Sequence, residues 1–493
     1  MVERRCIDIL QQLAQSKTEI SNQQWQKAIT MHGVLLNEHH DFFLNSEHPE
    51  GYSVRQRYVI NYAMPARLWR YGVHALLEQL RQRLPGTLEH MLRFLYLAYS
   101  TMTLFLETVP TFEDTWIECL GEISRYRMVL EAAESRERQA WASIARYWYN
   151  KAADKNPDVG RLQHHLGVLA RPDIVQQLFY YTKSLVCVHP FIGTKESISL
   201  LFNPLLQNPR SVRRLPEIVI AFVAAHGYLY ARQVGDPFLD TCNDFLAFLE
   251  EYTGRMGPNF KQQGVFIASC NFAAVLEYAT ANALLPSEFS TNAAQSKSMD
   301  DIYLASERFW TPVGDVKAVE ADLLESRDSK TISSIVFYGS CLTFQTLSIM
   351  LDQVGNRNVY PSFHASLAFL WSLARTPSSM KRVEALVPWK QIAAFLNTLT
   401  RNFSDFTLIE GTDFPSVGEE RWLSEDFLIR GHIWSQNLYP AGFFDGAPTA
   451  DDGRNIEPPS RDFLRMHRCL WFGVRLAMVR SITTLKAMLT WAV

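Results

Sequence analysis

Apolar residues that return every three or four positions constrain this chain more than any other feature. In RLWRYGVHALLEQLRQRL, Leu68, Val73, Leu76, Leu77, Leu80 and Leu84 keep mostly to that spacing, which predicts an amphipathic helix with one buried stripe. The stretch from Leu88 to Leu106 is apolar almost all round, as a central helix would be. Pro110 ends it, and Thr111 to Asp114 offers a capped restart. No segment reads as a convincing alternating strand, and the VFYGSCLTF run over 336–344 is the single ambiguous stretch. The fold class that follows is all-α.

A repeat lies inside this pattern. RYWYNKAADKNP (146–157) and LFYYTKSLVCVHP (178–190) align as two aromatics, a Lys and a small residue, closed by Pro, with Tyr149 and Tyr181 thirty-two positions apart. Tetratricopeptide helix pairs recur at about 34 residues with a small residue and a closing Pro in these places, here Ala152 and Pro157, then Ser184 and Pro190. Two unrelated amphipathic helices are the alternative.

At 493 residues the chain exceeds one compact core, so two domains are expected. The basic, Pro-rich LFNPLLQNPRSVRRLP marks a boundary near 205: a helical array over 1–205, then a helical-hairpin domain over 206–493. Polar stretches near 286–298, 315–331, 405–420 and 443–460 read as surface insertions between helices.

Composition removes several function classes. Apolar residues make up 47% and charged residues 20%, which is ordinary for a globular chain and excludes disorder over most of its length. The net charge of −3 lacks the strong basic excess of a dedicated nucleic-acid binder. Between Arg55 and Arg93, however, seven Arg stand against Glu78 and Glu89, a local balance that suits a discrete anion site. Seven scattered Cys with no CxxC pair predict reduced thiols in the nucleus or cytosol, with neither a zinc site nor a disulfide framework. The first sixteen residues carry no apolar core of a signal peptide, and the longest apolar stretch, Ile218 to Ala225, is far short of the ~20 residues a membrane span needs.

Arg67, Arg70 and His74 fall at i, i+3 and i+7, hence on one α-helical face, while GEISRYR sets Arg125 beside Tyr126 on another helix. If the two helices are neighbours, these groups converge on one anion, with Arg supplying bidentate geometry and Tyr a hydroxyl donor. Otherwise the charges form a solvated face or pair with Glu78 and Glu122. Catalysis finds no support: GxGxxG, GxxxxGK[ST], GxSxG and HExxH are all missing, and the pairs His39–His40 and His164–His165 diverge by about 100° on a helix. The carboxylate pairs Asp300–Asp301, Glu419–Glu420 and Asp451–Asp452 lie in polar stretches as solvated surface. No enzyme, cofactor or metal is expected.

The GEISRYR segment is similar to the Gly-Asp-x-x-Arg-Tyr helix that presents an Arg-Tyr pair to phosphoserine in 14-3-3 proteins. Its surroundings resemble the Est-one-type DNA/RNA-binding family, which holds the Ever Shorter Telomeres telomerase subunit and the SMG adaptors of nonsense-mediated mRNA decay. The matching block runs Leu120-Gly121-Glu122-Ile123-Ser124-Arg125-Tyr126-Arg127, Tyr149 to Ala152, Pro157 to Gly160, Leu166 to Ala170, Tyr180 to Leu185 and Pro190-Phe191. Weaker landmarks follow: Tyr360-Pro361 with Phe369 to Leu373, Leu423 to Phe427 with Arg430-Gly431, and Arg468 to Gly473.

The resemblance implies a tetratricopeptide or 14-3-3-like domain that binds a phosphorylated partner, a decay helicase or telomerase component. Arg125 would make the bidentate phosphate contact, Tyr126 the hydroxyl bond, and Arg67, Arg70 and His74 would complete the site. His74 stands where the family has a stronger cation, and a neutral imidazole binds phosphate less well than Lys. His164 falls near a family Asn that holds the peptide backbone. Two alternatives remain: an RNA or single-stranded DNA binder using Arg55, Arg57, Arg127 and Arg146, and a helical scaffold with a decayed pocket.

Overall fold

The computed structural model describes residues 1–16, 20–47, 59, 61–132, 135–207, 215–280, 283–292, 333–402, 407–411, 413–415, 421–448, 457–479, 485, 488 and 489. Among these every element is a helix, apart from two isolated bridges, Val159 with His189 and Cys187 with His432. The chain divides into two compact units, Met1–Lys155 and Asn156–Val493. That division falls well before the boundary read near 205, because the helices over 160–207 pack onto those that follow them.

The first unit begins with α1 (Val2–Gln15), whose Cys6, Leu10 and Leu13 are buried against α2 (Asn22–Ser46). A reciprocal capping box between Ser21 and Gln24 starts α2. Next, α3 is a continuous helix over 64–81 whose middle, Leu68–His74, is π-helical. Gly72 lies where a Cβ would be 3.2 Å from Leu68 and 3.5 Å from Leu36, so the lack of a side chain there lets α3 close on α2. α4 (Leu88–Thr108) buries Met91, Phe94, Leu95, Ala98, Met102 and Phe105, yet leaves Tyr96 and Leu104 exposed. It is one-faced, not the all-round buried helix its composition suggested. As expected, the chain breaks at Pro110, makes a 3₁₀ turn, and restarts as α5 (Glu113–Val129).

α5 and α6 (Arg136–Lys155) form an antiparallel hairpin, shown by contacts of Glu113 with Lys155, Glu122 with Tyr149 and Arg127 with Trp141. Trp116 on α5 is fully buried within an aromatic cluster of Phe43, Phe105 and Phe112, and its indole N–H donates to the Val109 carbonyl at 3.0 Å.

The second unit opens with α7 (Gly160–Leu169), α8 (Ile174–Val186) and α9 (Thr194–Gln207). It continues with α10 (Glu217–Tyr230), α11 (Asp236–Met256) and α12 (Phe260–Val275). A short helix, Leu284–Asn292, occupies part of the stretch read as a polar insertion. Then come α13 (Ser334–Asp352), α14 (Tyr360–Ala374), α15 (Trp389–Leu399), the short α16 (Ser424–Ile429) and α17 (Ser460–Met478).

The ambiguous run over 336–344 is helical, inside α13, which is buried on nearly every side. Among the described residues it is the one helix long and apolar enough to cross a membrane, and 89% of its apolar window is buried within the protein. α12 is buried in the same way and stacks Phe266 on Phe179 of α8 at 4.6 Å and Phe272 on Phe369 of α14 at 4.3 Å. Of the remaining segments read as insertions, 315–331 lies outside the described residues, as do parts of 405–420 and 443–460 and all three carboxylate pairs. All seven cysteines are buried free thiols.

The two repeat copies fall on α6 and α8, and they share a contact. Tyr149 lies against Gly121 of α5, where a Cβ would be 3.1 Å from the ring, and Tyr181 lies against Gly167 of α7, where it would be 2.6 Å away. In each pair a helix without a side chain at one position admits a buried tyrosine from its neighbour.

Candidate functional site

The site in the first unit is built outward from that hairpin. With no Cβ at Gly121, the Tyr149 ring lies flush on α5 and is fully buried. Its hydroxyl donates to Glu122 Oε1 at 2.6 Å, and Glu122 Oε2 accepts from Arg125 Nη2, also at 2.6 Å. Arg125 keeps 27% of its side chain exposed and lays its guanidinium 5.2 Å from the Tyr126 ring centre.

Tyr126 turns its hydroxyl to α3, where it donates to Glu78 Oε1 at 2.6 Å. Glu78 also takes Arg81 Nη2 at 2.7 Å on its second oxygen. The His74 ring stands edge-on to Tyr126 at 6.4 Å. Three helices thus bring Arg125, Tyr126, His74 and Arg81 together around two carboxylates.

Charge states follow from these contacts. Burial works against the Arg125 cation, but Glu122 and then Tyr149 outweigh it, so its pKa rises. Burial and the bond to Glu78 push Tyr126 up, and burial and then Glu122 do the same to Tyr149. Arg81 first, then Tyr126, hold Glu78 below the ordinary carboxylate range against the opposing effect of burial. At neutral pH the site therefore carries two protonated tyrosines, an ionised Glu78 and a charged Arg125.

The other expected ligands are placed differently. Arg67 extends to Glu3 of α1 at 2.5 Å, and Arg70 is exposed with its guanidinium 5.4 Å from the Tyr71 ring. An i, i+3, i+7 face requires ~100° per residue, whereas the π-helical turn over 68–74 advances by less. Its faces drift, and His74 reaches Tyr126 while Arg67 and Arg70 do not join it. Arg81 was missed, although Glu78 three positions earlier was a legible partner.

His164 belongs to the second unit. Its ring stacks on Tyr181 at 5.8 Å, approaches Phe191 at 5.2 Å and bonds Ser197 Oγ through Nε2 at 2.9 Å. Of the cations considered for a nucleic-acid track, Arg127 pairs with Glu131 and lies 5.4 Å from the Trp141 ring, Arg146 is half-buried, and Arg55 and Arg57 lie outside the described residues.

Other residues of the matching block serve packing. Ser184 Oγ donates to the Gly160 carbonyl at 2.7 Å and bonds Thr194 Oγ1 at 2.7 Å. A Cβ on Gly160 would lie 2.5 Å from the Ser184 carbonyl oxygen. Further on, Asp426 bonds buried Arg468 at 2.6 Å and Gly473 seats Leu396, where a Cβ would approach to 2.6 Å.

Comparison with known proteins matches residues 145–256 to the family described as the Est1 DNA/RNA binding domain. The chain is 23% identical over 169 residues to EST/SMG-like protein 2 of Saccharomyces cerevisiae, covering 33% of this chain and 14% of that protein. It is 35% identical over 98 residues to Telomerase-binding protein EST1A of Danio rerio, covering 20% of this chain and 6% of that protein. The matches thus span only a small part of these relatives' length. Over its α6 to α11 segment the chain is thus similar to the Est1-type family, whose model matches there.

Proposed function

We propose that the protein is a non-catalytic adaptor that binds a phosphorylated partner protein through the first unit, at Arg125 and Tyr126. The observation that carries the reading is the partly open Arg125 guanidinium, packed on Tyr126 and flanked by His74 and, through Glu78, by Arg81. A phosphate dianion arriving there replaces contacts that are weak at partly exposed sites, about 0–1 kcal/mol each, with charge-assisted bonds to Arg. Tyr126 would turn its hydroxyl from Glu78 to a phosphate oxygen. Arg67, Arg70 and His164 are not part of this proposal.

Similarity to the Est1-type family supports a setting in telomere maintenance or nonsense-mediated mRNA decay, and the Danio rerio relative carries the name of a telomerase-binding protein. A nucleus-and-cytoplasm distribution accords with that setting. The test is titration of the full chain with phosphoserine peptides and their unphosphorylated forms. Arg125→Glu abolishes phosphopeptide binding and leaves helicity nearly unchanged; unaltered affinity in that variant removes the proposal.

A second reading is a scaffold whose anion site is neutralised by its own acids, favoured by the engagement of Arg125 with Glu122 and of Tyr126 with Glu78. Equal, weak binding of both peptide forms by the wild type would select it. A third, nucleic-acid binding, rests on the description of the matched domain and predicts oligonucleotide affinity that falls steeply with salt.

A further inference from the structure

The π-helical turn of α3 joins two residues that a regular helix would separate. Trp69 and His74 are five positions apart, hence about 140° apart around an α-helix. The i→i+5 bonding of the turn Leu68–His74 sets such positions above one another, and the two ring centres lie 6.1 Å apart. His74 stands 6.4 Å from the Tyr126 ring, and Tyr126 carries the Arg125 guanidinium at 5.2 Å. Trp69, His74, Tyr126 and Arg125 thus form one row from α3 to α5, with Trp69 at its far end. Turns of this kind are rare and recur at functional sites.

Trp69 offers a ligand something different from the Arg125 end. Its ring is half-buried, and Ala66 and Arg70 on either side of it along α3 are exposed. Its indole N–H has no hydrogen-bond partner among the described residues. Arg70, the next residue, lies on the Tyr71 ring, and Arg67 is turned to Glu3. An indole is a large apolar body with one polar handle, so it suits an apolar side chain whose backbone supplies a carbonyl. A cationic side chain, which can also lie on a Trp face, would be repelled by Arg67, Arg70 and Arg125. An acidic one forfeits the contact with the ring.

We propose that Trp69 is a specificity-determining residue, which receives a large apolar side chain of the phosphorylated partner and donates its indole N–H to a neighbouring backbone carbonyl. The two ring-to-ring steps of 6.1 and 6.4 Å span at most about four residues of extended peptide, at ~3.3 Å each. The apolar residue therefore lies within about four positions of the phosphorylated one. This subsite depends on the phosphate reading of Arg125 and Tyr126.

The test uses the full chain and fluorescein-labelled nonapeptides with phosphoserine at the centre and Ala elsewhere. Leu, Ser, Glu or Lys is placed at each of the other positions in turn. In anisotropy titrations Leu at one position binds at least about fivefold more tightly than Ser, Glu or Lys there. Trp69→Ala brings the Leu-to-Ser affinity ratio at that position close to one. Trp69→Phe, the second variant should the first disturb folding, keeps a ring without the N–H and lowers the ratio part-way. Equal binding of Leu and Ser peptides throughout, a preference for Glu or Lys, or a Leu preference that neither substitution lowers overturns the subsite and leaves the phosphate reading standing. Absence of phosphopeptide binding, or equal binding without the phosphate, removes that reading and the subsite with it.

Discussion

Tyr149 donates its hydroxyl to Glu122 across the α5–α6 hairpin at 2.6 Å, and this buried contact fixes the carboxylate that aims Arg125. The exposed end of the site is thus set by a tyrosine that solvent does not reach. Removing that hydroxyl tests the arrangement directly. Tyr149→Phe costs about 1 kcal/mol of stability, read from the urea midpoint, and weakens phosphopeptide binding although the residue cannot touch the peptide. Unchanged affinity would show that Glu122 holds Arg125 without help.

Glu78 competes with any anion for Tyr126 and Arg81. Glu78→Gln keeps the shape, removes the charge and raises phosphopeptide affinity several-fold in calorimetric titration. A loss of affinity would place Glu78 among the residues that hold the site open.

Gly167 and Gly121 play equivalent parts at different clearances. At Gly167 an added Cβ falls 2.6 Å from the buried Tyr181 ring, at Gly121 3.1 Å from Tyr149. Overpacking costs about 1–3 kcal/mol, offset by the ~1 kcal/mol helix preference of Ala over Gly. Gly167→Ala therefore destabilises by about 1–2 kcal/mol and Gly121→Ala by less, a ranking that urea denaturation resolves.

Arg465 on α17 is fully buried and bonds Glu425 at 2.6 Å, Glu457 at 2.7 Å and Asp462 at 2.9 Å, a network sensitive to loss of one member. Glu425→Ala leaves a fully buried guanidinium short of its main partner and costs about 3–5 kcal/mol in chemical denaturation. Arg465 and His364 hold the Glu425 carboxyl well below its ordinary range in spite of burial. Its contribution is present above about pH 4 and is lost as pH falls further.

Two buried histidines add a second acid dependence. His226 bonds Tyr278 at 2.8 Å and Asn271 at 3.1 Å, and burial pushes its pKa down to about 3; burial, aided by Lys183, does the same to His432. The unfolded chain takes up these protons near pH 6.5 and the folded chain near 3, so stability falls as pH drops through that window, by up to about 1.4 kcal/mol per unit for each histidine. His226→Gln removes that residue's contribution and lessens the loss between pH 7 and pH 5 by about 2 kcal/mol. An unchanged pH profile in that variant would contradict the assignment.

Much of this was legible in one dimension. The three-and-four spacing of Leu68 to Leu84, the break at Pro110 and the aromatic-aromatic-x-Lys repeat reflect local rules of helix geometry, and they specified an all-α chain. The ordered block from Leu120 to Phe191 was enough to point to the family that residues 145–256 match. The pairing of Arg125 and Tyr126 with acids was foreseeable only as an alternative, since Glu122 is a helical neighbour but Glu78 lies 48 positions from Tyr126.

What the tertiary structure decided is of a different kind. The π-helical turn at 68–74 arises where Gly72 lets α3 close on α2, and it rotates Arg67 and Arg70 away from the face that regular periodicity assigned them. The division at Lys155 reflects which helices bury one another, a property that Pro and basic residues near 205 do not encode. A cleft in the second unit brings together Asp173, Gln262, Glu425, Glu457 and Arg465, residues separated by almost three hundred positions. Spacing along the chain reports contacts within a helix; the partners of a side chain across helices are chosen by packing.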